Sequence, residues 1–130
     1  MEFNTQVCTT REQSERLLAL GLKGETADCH WCYHRVTATW YVVAHNYDGI
    51  GGYVPAWSLH RLLEICPDVI YADPALYKTV AGGSIFYRDD EDNEENEIPF
   101  SEFVGLYDNV VACIEWLMKC GYVDKEYVEG

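Results

Sequence analysis

Val54-Pro55-Ala56-Trp57-Ser58-Leu59-His60-Arg61-Leu62-Leu63-Glu64-Ile65-Cys66-Pro67 is the stretch on which the reading of the fold turns. It opens near Pro55, whose fixed φ suits the first turn of a helix, and stops at Pro67, which cannot continue one. Between them Ala56, Leu59, Leu62, Leu63 and Cys66 recur at steps of three and four. That spacing sets them on one side of a helix facing a core, with His60, Arg61 and Glu64 largely on the other side. A short amphipathic helix bounded by the two prolines is expected.

Toward the N-terminus, Thr9-Thr10-Arg11-Glu12-Gln13 has the form of a capping box: a threonine caps and Glu12 or Gln13 reaches back three residues. The helix it starts runs to about Leu20 and buries Leu17, Leu18 and Leu20. Gly21 is the left-handed residue after it, and Leu22 is placed to touch Leu17 in a Schellman ending. From Cys29 to Asn46 the texture turns aromatic and β-branched, with neither glycine nor proline. Two strands are expected, about 31–36 and 39–45, followed by breaks at Asp48-Gly49 and Gly51-Gly52.

Toward the C-terminus, Val69-Ile70-Tyr71 reads as a brief extended piece, Asp73-Pro74 as a turn, and Ser84 to Arg88 as a third clear strand. Residues 89 to 97, D-D-E-D-N-E-E-N-E, contain seven acids and no apolar member, so a mobile loop that packs against nothing is expected. Pro99 and Ser101 lead into the longest helix, about 102–120. Its buried face is Val110, Ile114, Leu117 and Met118, with Tyr107, Val111 and Trp116 at the margins. Gly121 closes it as Gly21 closes the first helix, Tyr122 is placed against Leu117, and the tail from Asp124 to Gly130 is expected to fray.

Strands and helices mix without β-α-β alternation, so the expected class is α+β: a small, mainly antiparallel sheet packed on one face by two or three helices. One domain spanning 1–130 accounts for 130 residues, with 48% hydrophobic composition and ten tyrosines. The formal charge of −13 opposes binding to phosphate backbones or an anionic membrane surface, and favours a basic or neutral partner. The N-terminal M-E-F-N-T-Q-V has no positive region and no apolar run, and no segment has the length of a membrane helix. A cytoplasmic protein with six reduced thiols is therefore expected, buried cysteines serving as small hydrophobes.

Residues able to do chemistry are few. Cys29-His30-Trp31-Cys32-Tyr33-His34 holds a C-x-x-C beside two histidines, and Cys29, Cys32 and His34 are candidate zinc ligands. The set is half complete, since no second ligand pair exists and strand alternation divides it between two faces. No metal requirement is expected. The same segment offers a thiol beside an imidazole, yet no oxyanion device, nucleophile elbow or phosphate-cradling loop accompanies it. No catalytic residue is assigned and no cofactor is expected. Gly49-Ile50-Gly51-Gly52 lacks the spacing of a dinucleotide loop, and the acidic run lacks that of a calcium loop.

Four blocks of sequence carry a resemblance: T-R-E-Q-S-E-R-L-L-A-L-G-L from Thr10, T-A-D from Thr26, P-A-W-S-L-H-R-L-L from Pro55, and Y-D-N-V-V-A-C-I-E-W-L-M-K-C-G-Y-V from Tyr107. Together they resemble a group of uncharacterised small proteins of phages and mobile elements of gut bacteria. The resemblance implies a mobile-element origin and carries over no catalytic residue.

Two function classes follow. The first is a non-catalytic interaction protein, an acidic decoy that occupies a basic, nucleic-acid-binding site of a host protein. Its contacts would be Asp89, Asp90, Glu91, Asp92, Glu94, Glu95 and Glu97, with Trp57 and Trp116 as anchors. Burial against the sheet is the commoner fate of such tryptophans. The second is a small-molecule-binding protein or enzyme using the Cys29–His34 region. A wide spread of carboxylates over the folded surface favours the first; a pocket lined by Cys32, His34 and tyrosines favours the second.

Overall fold

In the computed structural model, residues 6–43, 53–90, 97–103 and 105–129 are described, and the structural statements below concern these. In chain order they form α1 (Arg11–Ala19), β1 (Cys29–His34), β2 (Thr39–Val43), β3 (Tyr53–Ala56), α2 (Leu59–Ile65), β4 (Val69–Ile70), β5 (Leu76–Ala81), β6 (Ser84–Arg88), β7 (Ile98–Phe100) and α3 (Leu106–Cys120). The class is α+β, and all strand pairing is antiparallel. The strands divide between two small sheets, however, in the orders β2-β1-β3 and β4-β5-β6-β7.

Local chemistry makes α1. Thr10 caps it by accepting from the Gln13 N–H at 3.1 Å, and the Gln13 carboxamide accepts from the Thr10 N–H at 2.9 Å. At its other end Gly21 takes φ 102° and the Leu22 N–H donates to the Leu17 carbonyl at 3.1 Å. Leu17 and Leu22 are buried as expected, whereas Leu20 faces solvent. The α3 C-terminus repeats the device: Gly121 has φ 77° and the Tyr122 N–H reaches the Leu117 carbonyl at 2.9 Å. A side chain at either glycine would meet no neighbouring atom within 4 Å, so the positive φ, not lack of room, is what favours glycine there.

The stretch from Val54 to Pro67 folds differently from its periodicity. Pro55 lies not in a helix but opposite His30 in β3, an edge strand, where a missing N–H is tolerated. Helix α2 starts four residues later, capped by Ser58, whose hydroxyl accepts from the Arg61 N–H at 3.2 Å. Two further donors at this helix end find remote acceptors. The Ser58 N–H reaches the Asp28 carboxylate at 2.8 Å, and the Leu59 N–H reaches the Tyr107 hydroxyl at 2.8 Å. The Ser58 hydroxyl also bonds to Asp28. The buried residues of α2 are Leu62 and Ile65; Leu59 and Leu63 are half-buried.

One main core lies between α3, α2, α1 and the inner face of the four-stranded sheet. Val110, Val111, Ile114 and Leu117 of α3 are fully buried against Ile85 and Tyr87 of β6, Leu62 and Ile65 of α2, and Leu17 of α1. In β6, buried Ile85 and Tyr87 alternate with more exposed Ser84, Phe86 and Arg88, the period of two that a half-covered sheet requires. Each such large side chain removed from water contributes about 1.5–3 kcal/mol before conformational entropy is counted. Asn109, also buried, donates to the Gly83 carbonyl at 2.6 Å and the Phe103 carbonyl at 2.9 Å while accepting from the Phe103 N–H. It ties the β5–β6 turn to the segment before α3.

The C-terminal tail is docked rather than frayed. Val128 forms a bridge with Leu22, the Lys23 N–H donates to the Tyr127 carbonyl at 2.8 Å, and the Glu129 N–H donates to the Gly21 carbonyl at 2.8 Å. Buried Val123 and half-buried Tyr127 and Val128 give this polar segment an apolar foothold. No described helix is long and apolar enough to cross a membrane.

Candidate functional site

Strand alternation separates the cysteines and histidines of β1. Cys29 shares a face with Trp31 and is buried beside Cys8 and Ala56, whereas Cys32 and His34 share the opposite face, and His34 is exposed. The His34 Nδ1 accepts from the Thr37 N–H at 3.2 Å, within the turn that follows the strand. Cys29 therefore does not converge with Cys32 and His34 as a zinc site would need. Among the described residues no three histidine, cysteine or acidic side chains are placed to hold a metal ion.

Cys8, Cys29 and Cys113 sit in surroundings that oppose ionisation. Burial, then the neighbouring Cys29 and Asp28, pushes Cys8 up to about 12 from an ordinary value of 9.0. Burial and Asp28 push Cys29 up to about 11. Cys113 is also raised, first by a hydrogen bond with Cys66 and then by burial. Because the unfolded chain ionises these thiols at lower pH than the folded one, the stabilisation is complete below pH 9 and fades as pH rises through about 11 to 12. Denaturant unfolding at pH 8 and pH 11 should show the higher pH to be less stable. In the native protein at pH 8, iodoacetamide should label exposed Cys120 well before Cys8 or Cys29. Equal labelling of all three would refute the buried assignment.

The acidic run is partly structured at its ends. Asp89 is 6% exposed, at the end of β6, and Glu97 lies 3.8 Å from the Arg88 guanidinium. The expected loop that packs against nothing thus fails at both ends, because the sheet it interrupts continues into β7 and draws its flanks inward. Asp90 is exposed; Glu91, Asp92, Glu94 and Glu95 lie outside the described residues. Trp57 is also corrected as an anchor, being 0% exposed. Trp116 is half-buried in an aromatic cluster, 5.7 Å from Phe100, 5.7 Å from Tyr122 and 6.4 Å from Tyr87 between ring centroids. The tyrosines are split: Tyr87 is buried with its hydroxyl on the Pro67 carbonyl, while Tyr33, Tyr41, Tyr71, Tyr77 and Tyr122 are exposed.

A concavity lies elsewhere, in a groove of about 980 Å³ between the C-terminal half of α2, β4 and the docked tail. Its floor is held by Lys78, whose ammonium donates to the Leu63 carbonyl at 2.8 Å and the Cys66 carbonyl at 3.1 Å and pairs with Asp68 at 3.0 Å. A cation on the last carbonyls of α2 suits the negative end of the helix dipole. Its walls carry Glu64, Asp68, Asp124 and Glu126, with Tyr71, Tyr122 and Tyr127. The tail expected to fray instead forms one side of this groove, held by apolar Val123, Tyr127 and Val128 within a polar segment.

No protein-family model, curated protein or solved structure matches this chain.

Proposed function

We propose that the protein is a non-catalytic acidic interaction protein that occupies a basic surface of another protein, in the manner of a decoy for nucleic acid. One observation carries this reading: carboxylates without a cationic partner are spread over the folded surface. Arg16, Lys23, Arg61, Lys78 and Arg88 lie against Glu115, Glu25, Glu64, Asp68 and Glu97 respectively. Beyond these pairs, exposed Glu12 and Glu15 on α1, Asp73 before β5, Glu102 before α3, and Asp124 and Glu126 in the tail form no ion pair among the described residues. A net charge of −13 distributed in this way speeds encounter with a basic partner and repels polyanions. A mobile-element origin in gut bacteria, implied by the four sequence blocks, fits a protein aimed at a host factor, and the cytoplasm is the compartment such a partner would occupy. The competing reading, a small-molecule site at Cys29–His34, would rest on Cys32, His34 and Tyr41, which share one face of the sheet without Cys29.

The test is affinity capture from the native host at about 50 mM salt, followed by affinity measurements on the recovered partner up to about 300 mM, where the Debye length falls well below 10 Å. A basic partner whose complex weakens steeply with salt, and which nucleic acid displaces, is the expected result. Neutralising Asp90, Glu91, Asp92, Glu94 and Glu95 as amides, with Asp89 and Glu97 kept, should weaken that complex and leave the melting temperature unchanged or slightly raised. A partner that is acidic, or binding indifferent to salt, would falsify the reading.

A further inference from the structure

We propose that the groove between α2, β4 and the C-terminal tail binds an arginine-bearing segment of a basic partner protein. This rests on the acidic-docking reading above and gives it a place. The groove offers both things a guanidinium needs. Carboxylates supply forked acceptors, and tyrosine rings supply faces on which the planar cation stacks. Glu64 is already engaged by His60 at 2.8 Å and by Arg61 at 3.1 Å, and Asp68 by Lys78. Among the described residues Asp124 and Glu126 carry no ion pair, and Tyr71 stands at the rim with 90% of its surface exposed.

The balance of charge in the groove favours a cation. Four carboxylates meet two ammonium groups, Lys78 and Lys125, and every donor of Lys78 is taken by the carbonyls of α2 and by Asp68. The local field shows on Tyr127, whose hydroxyl is held above its ordinary range by burial first and then by Glu126, with Glu64 and Asp124 adding to it and Arg61 opposing. A second copy of the chain is a poor occupant, since each copy brings a charge of −13. A volume of about 980 Å³ is at the upper end of small-ligand pockets and suits an extended peptide of a few residues.

The experiment titrates a fluorescein-labelled octapeptide of alternating glycine and arginine into the full chain at about 50 mM salt, where charge pairs are weakly screened. Two double or triple variants are compared. One combines Tyr71→Ala, Asp124→Asn and Glu126→Gln; the other combines Glu15→Gln and Glu102→Gln, which removes the same two charges away from the groove. The groove variant is expected to bind at least about tenfold more weakly than the parent and the control less than about threefold more weakly. All five side chains are exposed, so the melting temperatures of both variants should match the parent. Ring-proton shifts of Tyr71 and Tyr122 in the unaltered protein give a second readout that depends on no variant, and peptide-induced shifts confined to other tyrosines would overturn the groove. Equal weakening of both variants overturns it as well, while leaving the general acidic-docking reading intact. Absence of peptide binding overturns the groove even if a salt-sensitive native partner is found.

Discussion

Trp57→Ala is expected to lower the unfolding free energy by about 3–5 kcal/mol, as truncation of a buried tryptophan does. The ring is 0% exposed within the main core, and its Nε1–H donates to the Thr26 hydroxyl at 3.1 Å, which in turn donates to the Lys23 carbonyl at 2.6 Å. Its backbone is equally committed: the N–H donates to the Thr9 hydroxyl at 3.1 Å, and the carbonyl accepts from the Thr9 N–H at 2.9 Å. Trp57 therefore joins the segment before α1 to the entry of α2. Losing about 3–5 kcal/mol from a domain whose whole stability is about 5–15 kcal/mol would leave a marginal fold. Trp57→Phe keeps most of the apolar contact and loses the indole N–H, so it should cost roughly 1–2 kcal/mol. Urea unfolding of the three proteins checks the order, and a Trp57→Ala variant as stable as the parent would show that the ring does not pack.

The second large effect separates two adjacent leucines. Leu62→Ala should cost about 3–5 kcal/mol, because Leu62 is 0% exposed between α2 and the main core and its removal leaves a cavity that the neighbours cannot fill. Leu63→Ala should cost less than about 2 kcal/mol, since Leu63 is half-buried beside the groove and water can replace the lost atoms. The pair has the same chemistry and differs only in rotation about the helix axis. Comparable losses at both positions would mean that the orientation of α2 is wrong, and with it the wall of the groove.

The sequence by itself determined those features whose causes lie within four or five residues. The Thr10–Gln13 capping box, the two glycine-terminated helices, the strand Ser84–Arg88 and the buried stripe Val110, Ile114 and Leu117 were all legible, because capping, positive φ and side-chain periodicity are local. The α+β class followed from them. Only the tertiary structure decided where Val54–Pro67 stops being strand and becomes helix. Pro55 satisfies a helix-start pattern, but the partners that override it, His30 in β1 and Thr9 at Trp57, are 25 and 48 residues away in sequence. Leu76–Ala81 is decided in the same way: it is a strand because β6 and β4 pair with it on either side. Likewise the acidic and polar character of Asp89 and of the tail suggested solvated chain, whereas closure of the sheet buries Asp89 and a bridge to Leu22 holds Val128. The groove exists only because that tail is held. Its carboxylates and tyrosines come from α2, the residues on either side of β4 and the last ten residues, segments whose proximity is fixed by packing rather than by sequence spacing.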